Sequence, residues 1–344
     1  MVTISELRRR IGRFPRIKLT DLPTPLEELD RLAKAVGGPR FLMKRDDLTA
    51  LALGGNKLRK LQFALGHARQ QGAGVIVTGG AVQSNHCRLA AAAAAKLGLE
   101  CVLILNGHER TPPQGNLLLD RLFGAEVRFV SGTQADVDRA IPKVAEELRA
   151  AGKHPYTMHV AGGDDTVFGV LGYVEAYAEI AEQLDPPGSE VTHVCVCAGS
   201  GVTQAGLLLG AKLLGQRTRV VGISIRRSKA ELDQRIRDAV RKGADALDCS
   251  VSLSDEDVCV YDECIGPGYG GVTPELRQAI HLLARTSGIL IDHVYAGKTL
   301  AGVLALIRRG TLKPEDQIVF VHTGGVAAMF AAAQEMLEDT VSGS

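Results

Sequence analysis

Short apolar runs recur along the chain, and most are followed by a longer segment in which apolar residues return at helical spacing. GVIVTGG (74–80), CVLIL (101–105), EVRFV (126–130), HVCVCAGSG (193–201), RVVGISI (219–225) and QIVFVHTGG (317–325) read as strands. Helices are predicted from about Asn85 to Leu97, over GNLLLDRLFG (115–124), around 134–151 and over 203–214. Strands that are apolar on both faces and separated by helices predict parallel sheets covered on both sides. The alternation falls into two blocks, about 70–160 and 190–325, so two α/β domains are expected. LAAAAAAKLGL (89–99) is alanine-rich, short and bounded by charge, and predicts a tightly packed buried helix. LDPPGSE (184–190) predicts a surface loop or boundary.

Glycines gather at the ends of these strands, in TGG (78–80), AGG (161–163), AGSGVT (198–203) and HTGG (322–325). Open α/β sheets bind ligands in the crevice beyond the carboxyl ends of their strands. Glycine there lets backbone N–H groups approach a ligand closely. The predicted site is therefore where the glycines are.

Composition narrows the partner. The chain has 344 residues, 45% apolar and 23% charged, with a net charge of +1. That balance builds no field for nucleic acid or an acidic membrane, so a small-molecule partner is expected. The seven cysteines show no metal-ligand spacing, and no metal site is expected. Cys195 and Cys197 alternate in one strand and should share a face. The N-terminal MVTISELRRRIGRFPR lacks an apolar stretch of signal-peptide length, and no apolar run reaches the roughly 18 residues of a membrane span. A cytoplasmic protein with reduced thiols is the expectation.

Three segments carry candidate chemistry. AGSGVTQAG (198–206) follows a strand and opens a helix. Its free N–H groups, the helix dipole and the hydroxyls of Ser200 and Thr203 suit a phosphate, although a tight turn without a ligand has the same form. It is neither a Walker loop nor Gly-x-Gly-x-x-Gly, which speaks against ATP hydrolysis and dinucleotide binding. GGAVQSNHCR (79–88) sets Gln83, Ser84, Asn85 and His86 at a strand-to-helix junction. The unpaired first-turn N–H groups there suit a carboxylate, while Ser84 or Asn85 could equally be a plain helix cap. Lys57 follows Gly54, Gly55 and Asn56 and opens the helical KLRKLQFALGHA. Such a lysine is either a solvated charge or a Schiff-base former, and in the second case the glycines would let a cofactor ring approach.

Taken with TPLEELDRL (24–32), KRDDLT (44–49), GGNKLRKL (54–61), QSNHCR (83–88), GNLLLDRLFGAE (115–126), GSGVTQAG (199–206), GPGYG (266–270), VYAGKTLAG (294–302) and HTGG (322–325), the chain resembles the tryptophan-synthase-β-like pyridoxal-phosphate enzymes. The resemblance points to the branch of D-cysteine desulfhydrase, L-cysteate sulfo-lyase and 1-aminocyclopropane-1-carboxylate deaminase. It implies two open, twisted parallel-sheet α/β domains with pyridoxal 5′-phosphate between them. The large domain should comprise 1–55 and 165–344, the small one 56–164. A homodimer is also implied.

By the same resemblance, Lys57 bonds the cofactor and moves the substrate's α-proton. Asn85 binds the cofactor's phenolic oxygen. Gly199, Ser200, Gly201, Val202 and Thr203 hold its phosphate, and Thr323 meets its ring nitrogen. Ser84, Asn85 and His86 cradle the substrate carboxylate, and Tyr269 and Tyr295 lie near substrate and ring. The implied reaction is α,β-elimination on a small amino acid, D-cysteine giving pyruvate, ammonia and sulfide.

Within the branch, Ala296 and Thr323 stand where the cyclopropane deaminases have glutamate and leucine. That leans towards the desulfhydrase and the sulfo-lyase. His293 replaces the usual proline, either lining the pocket or sitting on the surface. A sulfonate substrate would need a cation, for which Arg88 and Lys298 are candidates; both also have structural readings. Tyr156, Tyr173, His159, Asp164 and Asp165 read as structural, the two acids capping a helix that starts near Thr166. A non-catalytic ligand-binding protein of the same fold is the alternative from another class.

Overall fold

The computed structural model describes residues 1–159, 163–184, 186 and 190–337. Ala161 and Gly162 of the AGG stretch, and residues 185 and 187–189 of the LDPPGSE loop, lie outside the described residues. The strands are β1 (Leu26–Glu28), β2 (Arg40–Lys44), β3 (Val75–Ala81), β4 (Glu100–Asn106), β5 (Glu126–Val130), β6 (Pro155–Thr157), β7 (His193–Ala198), β8 (Arg219–Ser224), β9 (Cys259–Tyr261) and β10 (Gln317–Val321). They form a six-stranded sheet, β1-β2-β10-β7-β8-β9, and a four-stranded sheet, β5-β4-β3-β6.

All pairings are parallel except that of β1 with β2, so the large sheet is mixed rather than purely parallel. β1 is a three-residue edge strand joined to β2 through the short Asp30–Val36 helix, and a reversed strand is tolerated at a sheet edge. The register of β3 on β4 runs from Val75↔Glu100 to Ala81↔Asn106, so their carboxyl ends finish side by side.

Alternation along the small sheet sorts its two faces. Val75, Val77, Val102 and Ile104 pack with Val137, Ile141, Val144 and Leu148 of the Gln134–Ala150 helix. Ile76, Leu103 and Leu105 face the main core, which holds Ala90, Ala91, Ala93 and Ala94 of the Asn85–Leu97 helix. Small side chains there let the helix sit close to its neighbours, as the LAAAAAAKLGL stretch predicts. Among the described residues, no helix is long and apolar enough to cross a membrane.

Beneath the start of the Lys57–Gln70 helix lies a buried charge cluster. The Arg59 guanidinium donates to both oxygens of Asp46 at 2.8 Å and to both oxygens of Glu179 at 2.9 and 2.8 Å. Lys44 Nζ lies 2.7 Å from Glu179, and the Tyr173 hydroxyl donates to Asp46 at 2.6 Å. Burial alone would raise the Asp46 carboxyl; Arg59 outweighs it and holds the group down at about 2. Asp46 thus contributes stability above the ordinary value of 3.8, and that contribution is lost as pH falls towards 2.

Arg59→Met strands two buried carboxylates with only Lys44 to compensate them. Removing one partner from a buried ionic cluster costs about 3–5 kcal/mol. Thermal or denaturant unfolding should show a loss of that size at neutral pH, and an unchanged melting temperature would show that the cluster is not structural.

Candidate active site

Between the carboxyl ends of the two sheets lies a cavity of about 280 Å³. Lys57, Ser84, Asn85, His86, Gly199, Ser200, Gly201, Thr203, Tyr269, Tyr295 and Thr323 line it. Residues far apart in sequence meet there because strand ends from both sheets point at one crevice.

Lys57 is the first residue of its helix. Its ammonium has no hydrogen-bond or ion-pair partner among the described residues. Burial brings it down to about 8 from the ordinary lysine value of 10.5, with the Cys197 thiol opposing and the Lys60 charge reinforcing the drop. A substantial neutral fraction therefore exists near physiological pH.

The glycines before Lys57 serve packing, not access to a ring. Gly54 has φ 64° and Gly55 φ 131°, and neither lines the cavity. A Cβ on Gly54 would stand 1.9 Å from the Asp47 carbonyl oxygen, and one on Gly55 3.1 Å from that of Thr323. A Cβ on Gly324 would reach Gly55 Cα at 2.7 Å. The two glycine turns, 54–55 and 324–325, are packed backbone to backbone. Asn56 N–H donates to the Thr323 carbonyl at 3.0 Å and locks them together.

Ser84 is the N-cap of the Asn85–Leu97 helix, its Oγ accepting from Cys87 N–H at 3.2 Å. Its own proton stays available, so capping and a role in the cavity are compatible. Asn85 Oδ1 accepts from Asn116 Nδ2 at 2.8 Å. The Thr78 hydroxyl spends its proton on the Met158 carbonyl at 2.8 Å, so at 2.9 Å it accepts from His86 Nε2–H. His86 is then neutral with a lone pair on Nδ1, which matches the strong downward push of burial on its pKa.

Around the glycine-serine loop, Gly201 has φ 88°, and a Cβ there would meet Ile236 Cγ1 at 2.9 Å. Val202 does not line the cavity. Its side chain packs on Gly169, where an added Cβ would stand 2.4 Å from Val202 Cγ1, so only its backbone serves the loop. Arg227 donates to the Gly199 carbonyl at 2.8 Å and to Glu231 at 2.6 Å. The Tyr269 and Tyr295 hydroxyls are 2.9 Å apart. Burial raises both phenols, and each stays protonated at neutral pH. Asp292 accepts the N–H groups of Val294, Tyr295 and Ala296 and fixes the turn that carries Tyr295. Thr323 Oγ1 lies 3.5 Å from Cys197 Sγ.

Several expectations change. Arg88 is buried and donates to the Gly54 carbonyl at 2.8 Å, bracing the glycine turn from behind. Lys298 donates to the carbonyls of Ile265 and Gly268 and holds the loop of Tyr269. His293 is buried but is not on the cavity wall, and Ala296 packs in the core. Asp164 and Asp165 belong to the first turn of a helix that begins at Gly163, not to a cap before Thr166. Asp165 accepts His159 N–H at 2.7 Å and lies 3.0 Å from Lys60.

Asn56, Cys197, Ile225 and the arginines 226, 227 and 235 also line the cavity without having been singled out. The signal for Arg226 and Arg227 is their position just after β8, at a carboxyl strand end, whereas Arg235 reaches the cavity from the Lys229–Ala246 helix. Arg226 differs from its neighbours. Its guanidinium has no hydrogen-bond or ion-pair partner among the described residues and stands 6.0 Å from the Tyr269 ring centroid.

This donor set fits pyridoxal phosphate. An unpaired amine suits its aldehyde, a helix N-terminus behind a glycine turn suits its phosphate, and Asn85 and Thr323 suit its ring.

The comparisons agree with that fit. Residues 17–324 match the family model described as pyridoxal-phosphate dependent enzyme. The D-cysteine desulfhydrase of Klebsiella pneumoniae (strain 342) is 40% identical over 328 residues, 94% of this chain and 98% of the relative. That of Yersinia enterocolitica serotype O:8 is 40% identical over 330 residues, with the same coverage of each. Among solved structures, an ACC deaminase homologue superposes with a TM-score of 0.88 at 35% identity, covering 97% of this chain and 98% of that one. The processed form of threonine deaminase isoform 2 from Solanum lycopersicum gives 0.69 at 17% identity, with 97% and 87% covered, which is a likeness of fold. The chain belongs to the pyridoxal-phosphate-dependent enzymes and has the fold of these two solved structures.

Proposed function

We propose that this protein is a D-cysteine desulfhydrase, converting D-cysteine and water to pyruvate, ammonia and hydrogen sulfide. One observation carries the substrate: two proteins of that name share 40% of their residues with it along 94% of the chain. The chemistry supplied by pyridoxal phosphate, when bound, is delocalisation of the negative charge left at the substrate's α-carbon.

The chain's own residues do the rest. Lys57 is the base that removes the α-proton, and a pKa of about 8 suits that task near neutral pH. The Ser84 hydroxyl and the first-turn N–H groups of Asn85 and His86 hold the substrate carboxylate. Asn85, Thr323 and the backbone of residues 199–203 hold the cofactor. Tyr269 and Tyr295, kept protonated, supply a proton to the departing sulfur. The supporting division is a large unit of 1–55 with 165–344 and a small unit of 56–164, the four-stranded sheet falling wholly within the latter. We read the enzyme as a cytoplasmic homodimer, as the family resemblance implies.

A second reading, L-cysteate sulfo-lyase, is favoured by Arg226. Arg88 and Lys298 are committed to backbone carbonyls, so Arg226 is the cation positioned beside Tyr269 for a sulfonate.

Lys57→Ala should lower turnover on the order of 10³-fold or more. In the cofactor-free protein, acylation of Lys57, followed by peptide mass spectrometry, should rise with pH to a midpoint near 8. A midpoint near 10.5 would remove the argument for Lys57 as a base at neutral pH. A substrate panel should yield sulfide and pyruvate from D-cysteine; sulfite from L-cysteate alone would transfer the protein to the second reading. In that case Arg226→Ala should raise KM for L-cysteate about 10- to 100-fold, the worth of a charge-assisted contact.

A further inference from the structure

Asn116 lies on the Gly115–Leu122 helix, is fully buried, and touches the cavity only through Asn85. Its Nδ2 donates to the Gln83 backbone carbonyl at 2.8 Å and to Asn85 Oδ1 at 2.8 Å. Its backbone N–H donates to Gln83 Oε1 at 2.8 Å, and Gln83 Nε2 donates in turn to the Gln114 carbonyl at 3.0 Å. Two carboxamides can each face either way, but this arrangement leaves one choice. A backbone carbonyl only accepts, so Asn116 must turn its NH₂ towards Gln83. Both of its protons are then used, and Asn85 must offer an oxygen rather than an NH₂ in return. The Asn85 NH₂ is left facing the other way, towards the HTGG turn, where a Cβ on Gly325 would stand 2.8 Å from Asn85 Nδ2.

We propose that Asn116 is a positioning residue: through Asn85 it fixes an NH₂ donor towards the cavity, ready for the phenolic oxygen of the cofactor ring. The inference rests on the reading of Asn85 as a cofactor contact, and it adds what sets the direction of that contact. Glycine at position 115 belongs to the device. Gly115 has φ 54°, and a Cβ there would meet Gln83 Oε1 at 2.4 Å and displace the clamp.

The test titrates pyridoxal phosphate into the cofactor-free protein, wild type and the variants Asn116→Ala, Asn116→Asp, Asn85→Ala and the Asn85→Ala/Asn116→Ala pair. Readouts are the dissociation constant, the bound cofactor's absorption maximum and the melting temperature without cofactor. Asn116→Ala should weaken binding about five- to tenfold, as for a lost orienting hydrogen bond, and shift the absorption maximum. Added to Asn85→Ala it should cost less than about twofold more, because its route is already cut. Asn116→Asp keeps the shape and loses the donors, so it should behave like the alanine variant and carries the test if that variant does not fold. An equal loss in both backgrounds would overturn the proposal, as would an unchanged constant and spectrum in both Asn116 variants. Asn85→Ala without effect would remove the role of Asn85 and the proposal with it. Failure of the D-cysteine assay alongside the predicted cycle would sink the substrate reading and leave this one standing.

Discussion

The pairing of Arg59 with Asp46 and Glu179 is the constraint around which the site is arranged. Arg59 is two residues beyond Lys57 on the same helix, while Asp46 follows β2 and Glu179 lies on the Gly163–Gln183 helix. The pairing therefore ties the lysine-bearing helix to the large sheet at the point where the chain passes towards the small one. Buried ions are costly singly and tolerable only with every partner in place. Two cations, Arg59 and Lys44, meet two carboxylates here, and the hydroxyls of Tyr173 and Thr24 donate to Asp46. Four hydrogen bonds from Arg59 to the two carboxylates resist rotation of the helix, so the amine of Lys57 keeps its direction.

Backbone packing continues the same constraint upward. The turn at Gly54–Gly55 rests on Gly324, with Asn56 bonded to Thr323 and Arg88 bonded to Gly54. One arginine fixes the helix from below and another braces the turn from behind. Neither needs to touch a ligand. Both are buried cations that donate to oxygen acceptors behind the cavity wall rather than into the cavity.

Much of the fold was legible because long apolar strands in parallel sheets read clearly. The six strands expected are all present, five of them ending within three residues of the expected position, while the 317–325 stretch leaves the sheet four residues early, after Val321. The strands β1, β6 and β9 have three residues each, too few for a periodicity to show. β2 was hidden by Lys44, a charged residue that is buried only because Glu179 receives it. The cavity residues were legible through their neighbours in strand-end loops. What sequence could not show was direction: Arg88 faces inward, Val202 turns from the cavity, and Arg226 faces it. The purpose of Gly54 was misjudged for the same reason, since the carbonyl of Asp47 that excludes a Cβ comes from a turn seven residues earlier.

The electrostatics of the cavity follow from how the two halves are built. Burial acts on every group there, yet its effect depends on the sign of the charged form. It lowers Lys57 and His86 and raises Tyr269 and Tyr295, so at neutral pH the wall presents a partly neutral amine, a neutral imidazole and two protonated phenols. Desolvation in one crevice thus leaves a partly neutral amine and two protonated phenols on the wall of the same cavity. Positive potential in the cavity comes from elsewhere: the N-termini of the Asn85–Leu97 and Val202–Leu213 helices and the arginines 226, 227 and 235. The positive potential and the perturbed amine and phenols thus belong to different groups, so a change among the arginines leaves the burial of Lys57, Tyr269 and Tyr295 as it is.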